Sequence, residues 1–178
     1  MILIIDFGSQ YNQLIARRVR EHRIYCRIEP PRSSTAEIKA LAPEGIILSG
    51  GPASIYEENS PRVDIEIFDL GIPILGICYG MQYMADALGG EVKKAEKREY
   101  GLAELRIKNA AGIFSGIEKK TKSWMSHGVD HTPKGKGMLK NFLFATCKCK
   151  KTWTMKSFIK ESIKEVKCLV GDKKVILG

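Results

Sequence analysis

The sequence predicts an α/β fold, a mostly parallel sheet covered by helices on both faces. Three observations carry this expectation. Through the first ninety residues, short apolar runs alternate with amphipathic stretches, the pattern that builds βαβ units. The first of the runs, Ile2-Leu3-Ile4-Ile5, is apolar at every position, which fits a strand buried on both faces. Glycine- or serine-bearing turns follow three of them: Asp6-Phe7-Gly8-Ser9, Ser49-Gly50-Gly51-Pro52 and Cys78-Tyr79-Gly80.

Each element has its own signal. Ile2 to Ile5 reads as strand one, stopped by Asp6. Gln13 to His22, with Leu14, Ile15 and Val19 at helical spacing, reads as a helix, and Ile24 to Ile28 as strand two. Ser34 with Glu37 three residues on is a capping box for a short helix ending near Leu41. Gly45 to Leu48 is strand three. Ser60-Pro61 predicts a helix start with proline at the first position, and Gly71 its stop. Ile72 to Ile77 is strand four, followed at once by Cys78 and by a helix from Met81 to Leu88, ended by Gly89-Gly90. Farther on, Ala103, Leu105 and Ile107 alternate with Glu104, Arg106 and Lys108 as in a strand with one solvated face, and Ser123 to Ser126 reads as another. Thr132-Pro133 reads as a cap before a helix bearing Met138, Leu139, Phe142 and Leu143. A last helix runs from Met155 to Val170 with Gly171 as its stop, and Lys174 to Gly178 begins a strand.

Right-handed crossovers in a doubly wound sheet place strand one between strands two and three, with four outside three. The three turns then share the carboxyl edge of the sheet, where open α/β sheets bind ligands. The sharpest local feature there is Gly76-Ile77-Cys78-Tyr79-Gly80, the cysteine form of a nucleophile elbow. Such a turn holds the sulfur clear of the sheet, glycines avoid clashes, and the following helix N-terminus stabilises a thiolate. Ser49 to Pro52 should lie beside it, where backbone N–H groups can face a developing oxyanion, with Tyr79 N–H as the second donor.

These residues also match a family. Asp6 to Tyr11, Ile46 to Pro52 (IILSGGP), Glu57 to Arg62, Gly76 to Gln82 (GICYGMQ) and Trp124 to Gly128 (WMSHG) resemble the glutaminase domain of GMP synthases, which are class I (triad) glutamine amidotransferases. The resemblance implies a flavodoxin-like three-layer sandwich. It implies that Cys78 attacks the side-chain amide of glutamine, that a γ-glutamyl thioester forms and ammonia leaves to aminate XMP, and that water frees glutamate. It gives Gly51 and Tyr79 the oxyanion hole, and Gln82, Gly50, Ser126 and His127 the binding of substrate glutamine. Residues 1–145 correspond to the amidotransferase domain, and 146–178 to a linker and the first helix and strand of an ATP pyrophosphatase domain. No cofactor is expected in the former, ATP and magnesium belonging to the synthetase part.

The chain departs from the family at one place. Ser126-His127-Gly128 runs directly into Val129-Asp130-His131-Thr132-Pro133, which resembles what normally follows the His-Pro-Glu segment carrying the catalytic base and its orienting acid. No His-x-Glu remains. His127 or His131, with Asp130, stand as replacements, while His22 belongs on the opposite edge of the sheet. A domain that only binds glutamine or docks a synthetase partner is the alternative expectation. The lost segment should include strands of the sheet, so exposed apolar surface and self-association are expected.

Composition narrows the other classes. The 178 residues include 44% hydrophobic and 28% charged, which is globular and enough for one domain with an appendage. No run approaches the roughly 20 apolar residues that span a bilayer, so a membrane anchor or signal peptide is not expected. Five cysteines without paired spacing predict reduced thiols in a cytoplasmic protein, and Cys147-Lys148-Cys149 alone is no metal site. The net charge of +9 is confined to residues 117–178, which hold 15 Lys, 5 acidic residues and no Arg. Without the bidentate side chain that reads phosphate and bases, a solvated surface is expected rather than a nucleic-acid interface.

Overall fold

The computed structural model describes residues 1–92, 101–125 and 134–171. Its centre is a four-stranded parallel sheet of β1 (Ile2–Ile5), β2 (Cys26–Glu29), β3 (Gly45–Leu48) and β4 (Ile74–Gly76), in the expected order β2-β1-β3-β4. Ile2 pairs with Cys26 on one side and Gly45 on the other, and Ile46 pairs with Ile74.

Period-two alternation divides the apolar strands between two cores. Ile2, Ile4 and Ile47 join Ile15, Ala16 and Val19 of α1 (Asn12–Glu21) on one face. Leu3, Ile5, Ile46 and Leu48 join Ile38 of α2 (Thr35–Ala40), Ile67, and Tyr79 and Tyr83 of α3 (Tyr79–Ala87) on the other. The result is the expected three-layer sandwich. All four residues of β1 are 0% exposed, and each such side chain contributes about 1.5–3 kcal/mol by leaving water. The Ser34–Glu37 capping box is present, and hydrogen bonds from Ser34 hold the Glu37 carboxyl below its usual range.

The first core continues into α4 (Gly135–Asn141) and the π-helical turn Phe142–Thr146, through Leu139, Phe142 and Leu143. Cys147 and Cys149 close that core at the amino edge of the sheet, where Gly45 stands so near that a Cβ on it would lie 2.3 Å from Cys147 Sγ. Burial pushes the two thiols up to about 12 and about 11, and all five cysteines are free. The chain then fastens to the end of α1, where Trp153 N–H donates to the Arg23 carbonyl at 2.8 Å and the Arg20 guanidinium lies 5.5 Å from the Phe158 ring. Phe158 belongs to α5 (Met155–Val170), which has the predicted bounds and ends at Gly171. A separate antiparallel hairpin pairs β5 (Gly101–Arg106) with β6 (Lys120–Met125), somewhat longer than the sequence signal at Ser123 to Ser126.

One predicted element needs correction. Ser60-Pro61 opens no α-helix; the chain runs without regular structure to Asp64, which caps a 3₁₀ helix over Ile65–Leu70 by accepting from Glu66 N–H at 3.0 Å. The Pro61 and Val63 carbonyls, which a helix would use internally, instead accept from the Tyr79 and Tyr83 hydroxyls of α3. Gly71, in the left-handed region at φ 66°, is the predicted stop.

Every described lysine from Lys119 to Lys167 is exposed, in accord with a solvated basic surface. Among the described residues no helix is long and apolar enough to cross a membrane. The strand expected at Lys174 to Gly178 and the cap at Thr132-Pro133 lie outside the described residues.

Candidate functional site

The expected convergence of three turns at one sheet edge is what the structure has. After β4, Ile77 N–H still donates to the Leu48 carbonyl at 2.9 Å, and the chain then reverses at Cys78, which sits at φ 50° and ψ −112° as the N-cap of α3. That region belongs to glycine in the first central position of a type II′ turn, so a side chain there is strained by about 1–3 kcal/mol. Cys78 is nonetheless exposed, its thiol carried clear of the sheet at the end of a helix whose first N–H groups lack intrahelical partners.

The flanking glycines are sterically required. A Cβ on Gly76 would lie 2.6 Å from Met81 Cα, and one on Gly80 only 2.3 Å from the Leu48 carbonyl oxygen. Gly80 N–H donates to the Ser49 carbonyl at 3.0 Å and so ties the first turn of α3 to the end of β3. Gln82, one turn beyond Cys78, is exposed, and its N–H donates to the Cys78 carbonyl at 3.1 Å.

Beside the elbow runs the loop after β3. A Cβ on Gly50 would touch Cys78 Cβ at 3.5 Å and Ser9 Oγ at 3.7 Å, which places the turns after β1, β3 and β4 against one another. Gly51 backs onto Phe7 so closely that a Cβ would lie 2.4 Å from its carbonyl oxygen. Ser49 is fully buried; its hydroxyl donates to the Gly50 carbonyl at 2.8 Å and accepts from Phe7 N–H at 3.0 Å. Under the elbow, Tyr79 is 2% exposed, packs edge-on against Phe7 with centroids 5.1 Å apart, and donates its hydroxyl to Pro61 O at 2.6 Å.

The sequence reading thus has Cys78, Gly50, Gly51, Tyr79 and Gln82 assembled on one edge. It missed Ser49, Ser9 and the Tyr79 hydroxyl as supports; Ser49 carried a signal, being a polar residue directly after an all-apolar strand. Ser126, His127, Asp130 and His131 lie outside the described residues. The remaining histidine, His22, caps the far end of α1 as expected, edge-on to Phe144 with centroids 5.8 Å apart, and its burial lowers its pKa. Among the described residues no three His, Cys, Asp or Glu side chains are grouped to hold a metal ion.

Geometrically the site offers an exposed thiol, a glycine loop packed against it, and a helix N-terminus. A family model, glutamine amidotransferase class-I, matches residues 3–162. The chain is 46% identical over 215 residues to a GMP synthase [glutamine-hydrolyzing] of Clostridium botulinum, covering 99% of this chain and 42% of that protein. A GMP synthase [glutamine-hydrolyzing] of Clostridium kluyveri is 43% identical with the same coverage. The chain therefore spans less than half the length of these relatives, and since 215 aligned positions face at most 178 residues, at least 37 positions of the match have no counterpart in it. In fold it resembles a crystal structure from Thermoplasma acidophilum assigned as one subunit of a GMP synthase, with a TM-score of 0.72, 24% identity, and coverage of 92% of this chain and 96% of that one.

Proposed function

The chain belongs to the class-I glutamine amidotransferase family, and from that premise we propose that it hydrolyses glutamine through Cys78 and supplies the ammonia to a GMP synthase type of synthetase part, which aminates XMP to GMP. The observation that carries the proposal is the Cys78 elbow: a strained, exposed thiol held against the Gly50–Gly51 loop.

The chemistry follows from that arrangement. Cys78 Sγ, as thiolate, attacks the γ-carboxamide carbon of glutamine, and the carbonyl electron pair moves to oxygen. The N–H groups of Gly51 and Tyr79 bind that oxyanion; Tyr79, as the first helical residue, has no intrahelical carbonyl for its N–H. Gln82, Gly50, Ser126 and His127 hold the substrate. Collapse of the tetrahedral species breaks the carbon–nitrogen bond, and the amine leaves as ammonia once it has taken a proton. Water then attacks the thioester carbon, restoring the thiol and freeing glutamate.

Two steps need a proton carrier, and the described residues bring no imidazole to Cys78. His127 and His131 are the other histidines of the sequence, with Asp130 the acid nearest to both. General acid–base help of this kind is worth about 10²–10⁴-fold. Turnover in this chain therefore depends on one of those two side chains, in place of a His-x-Glu pair.

The test is intact-mass labelling with diazo-oxo-norleucine in parallel with ammonia release from glutamine, on the protein and on Cys78→Ala. Labelling confined to Cys78 and ammonia release lost in the variant are expected. Labelling without ammonia would refute hydrolysis and leave a glutamine-binding domain; no labelling would remove the nucleophile itself.

A further inference from the structure

The central sheet stops at β4, and its outer edge is open among the described residues. Ile46 N–H donates to the Pro73 carbonyl and Ile77 N–H to the Leu48 carbonyl, so Pro73, Leu75 and Ile77 turn their backbone groups toward β3. By alternation, Ile74 and Gly76 direct their N–H and C=O groups the other way, past the end of the sheet. Beside this edge lies an open groove of about 510 Å³ between β4 and α3, lined by apolar side chains and glycines without a single charged or polar one. Met81 and Leu88 line it while standing 59% and 62% exposed. The aligned positions that this chain lacks leave it less polypeptide than its relatives have to cover such an edge.

We propose that a second copy of this chain covers it, the two β4 strands pairing antiparallel about a two-fold axis at Leu75 to make one eight-stranded sheet. Self-complementarity selects this occupant. An axis at Leu75 sets Ile74 opposite the partner's Gly76 and Gly76 opposite its Ile74, and each pair exchanges two N–H···O=C bonds through the groups that already point outward. Isoleucine faces glycine at both positions, and since Met81 stands over Gly76 on the α3 side, each Ile74 would pack beside the Met81 of the other copy. The patch carries both hollow and projection, letting Met81 and Leu88 of each copy enter the groove of the other. The uncharged lining keeps the +9 charge of each chain out of the contact. The inference is independent of the proposed chemistry, although the paired strand is the one that carries the Cys78 elbow.

The test combines sedimentation velocity from low to high micromolar protein with amide hydrogen exchange at the same concentrations. A reversible dimer is expected, with the Ile74 and Gly76 amides exchanging about tenfold more slowly when dimeric. The double variant Met81→Lys, Leu88→Lys, altered only at exposed side chains, should sediment as a monomer with an unchanged circular dichroism spectrum. A monomer at every concentration overturns the proposal. So does a dimer in which those two amides exchange at the monomer's rate, or protection that is independent of concentration, which would mean that the chain itself covers the edge.

Discussion

Replacing Cys78 by glycine should stabilise the protein relative to Cys78→Ala. Both variants remove the sulfur, which is exposed and packs little, so their difference isolates the backbone. At φ 50° and ψ −112°, alanine retains the conflict between Cβ and the backbone, and glycine has none. Relief of about 1–3 kcal/mol of strain is offset by about 0.5–1 kcal/mol of extra chain entropy lost on folding. The net is about 0–2.5 kcal/mol in favour of glycine, which at roughly 2–4 °C per kcal/mol for a chain of this size raises Tm by up to about 10 °C. Differential scanning calorimetry of the two variants without ligand, with reversibility checked by a second scan, measures it. Cys78→Gly melting below Cys78→Ala would mean that the elbow is not strained and that this turn stores no conformational energy in presenting the thiol.

Two further expectations follow from the same structure. Gly80→Ala puts a methyl 2.3 Å from the Leu48 carbonyl oxygen in a fully buried strand and should cost about 3 kcal/mol, whereas Gly137→Ala, inside α4 with nothing within 4 Å of its Cβ position, should gain about 0.5–1 kcal/mol; paired urea titrations compare them. Equal effects would show that the packing around Gly80 yields. The His22 imidazole, whose burial lowers its pKa in the folded state, takes up protons more readily when unfolded, so its contribution is complete above its unfolded pKa of about 6.5 and is lost as pH falls toward the folded value. Stability should fall more between pH 7.5 and 5.5 in the protein than in His22→Asn, and parallel curves would contradict this.

Strand order and the position of the elbow were legible because they rest on local signals. Three runs without a charged residue, at Ile2 to Ile5, Gly45 to Leu48 and Ile72 to Ile77, demanded burial, while Arg27 interrupts the second strand; crossover handedness left one simple order, and glycines at 76 and 80 marked the tight turn. What stayed illegible was set by distant partners. Nothing in Ser60-Pro61-Arg62-Val63 announces that its carbonyls bond to tyrosines some eighteen and twenty residues later, which is why a good helix-start pattern yields an irregular segment. Likewise the π-helical turn at Phe142–Thr146 arises where Cys147 and Cys149 must enter the core beside Gly45, and Cys147 N–H accordingly donates back to the Phe142 carbonyl at 2.9 Å.

The Ser49 hydroxyl bears on the setting of the peptide between Gly50 and Gly51. A trans peptide directs its C=O and N–H oppositely, so whatever holds the Gly50 carbonyl also fixes the heading of the Gly51 N–H. Glycine on both sides leaves that plane free to turn over, and turned over it would present an electron-rich oxygen where the proposed chemistry needs a proton donor. A serine hydroxyl sealed from water, anchored in turn by Phe7, keeps the plane in one setting before any ligand arrives. In this corner of the molecule, one buried oxygen atom holds the orientation of the peptide on which the proposed chemistry relies.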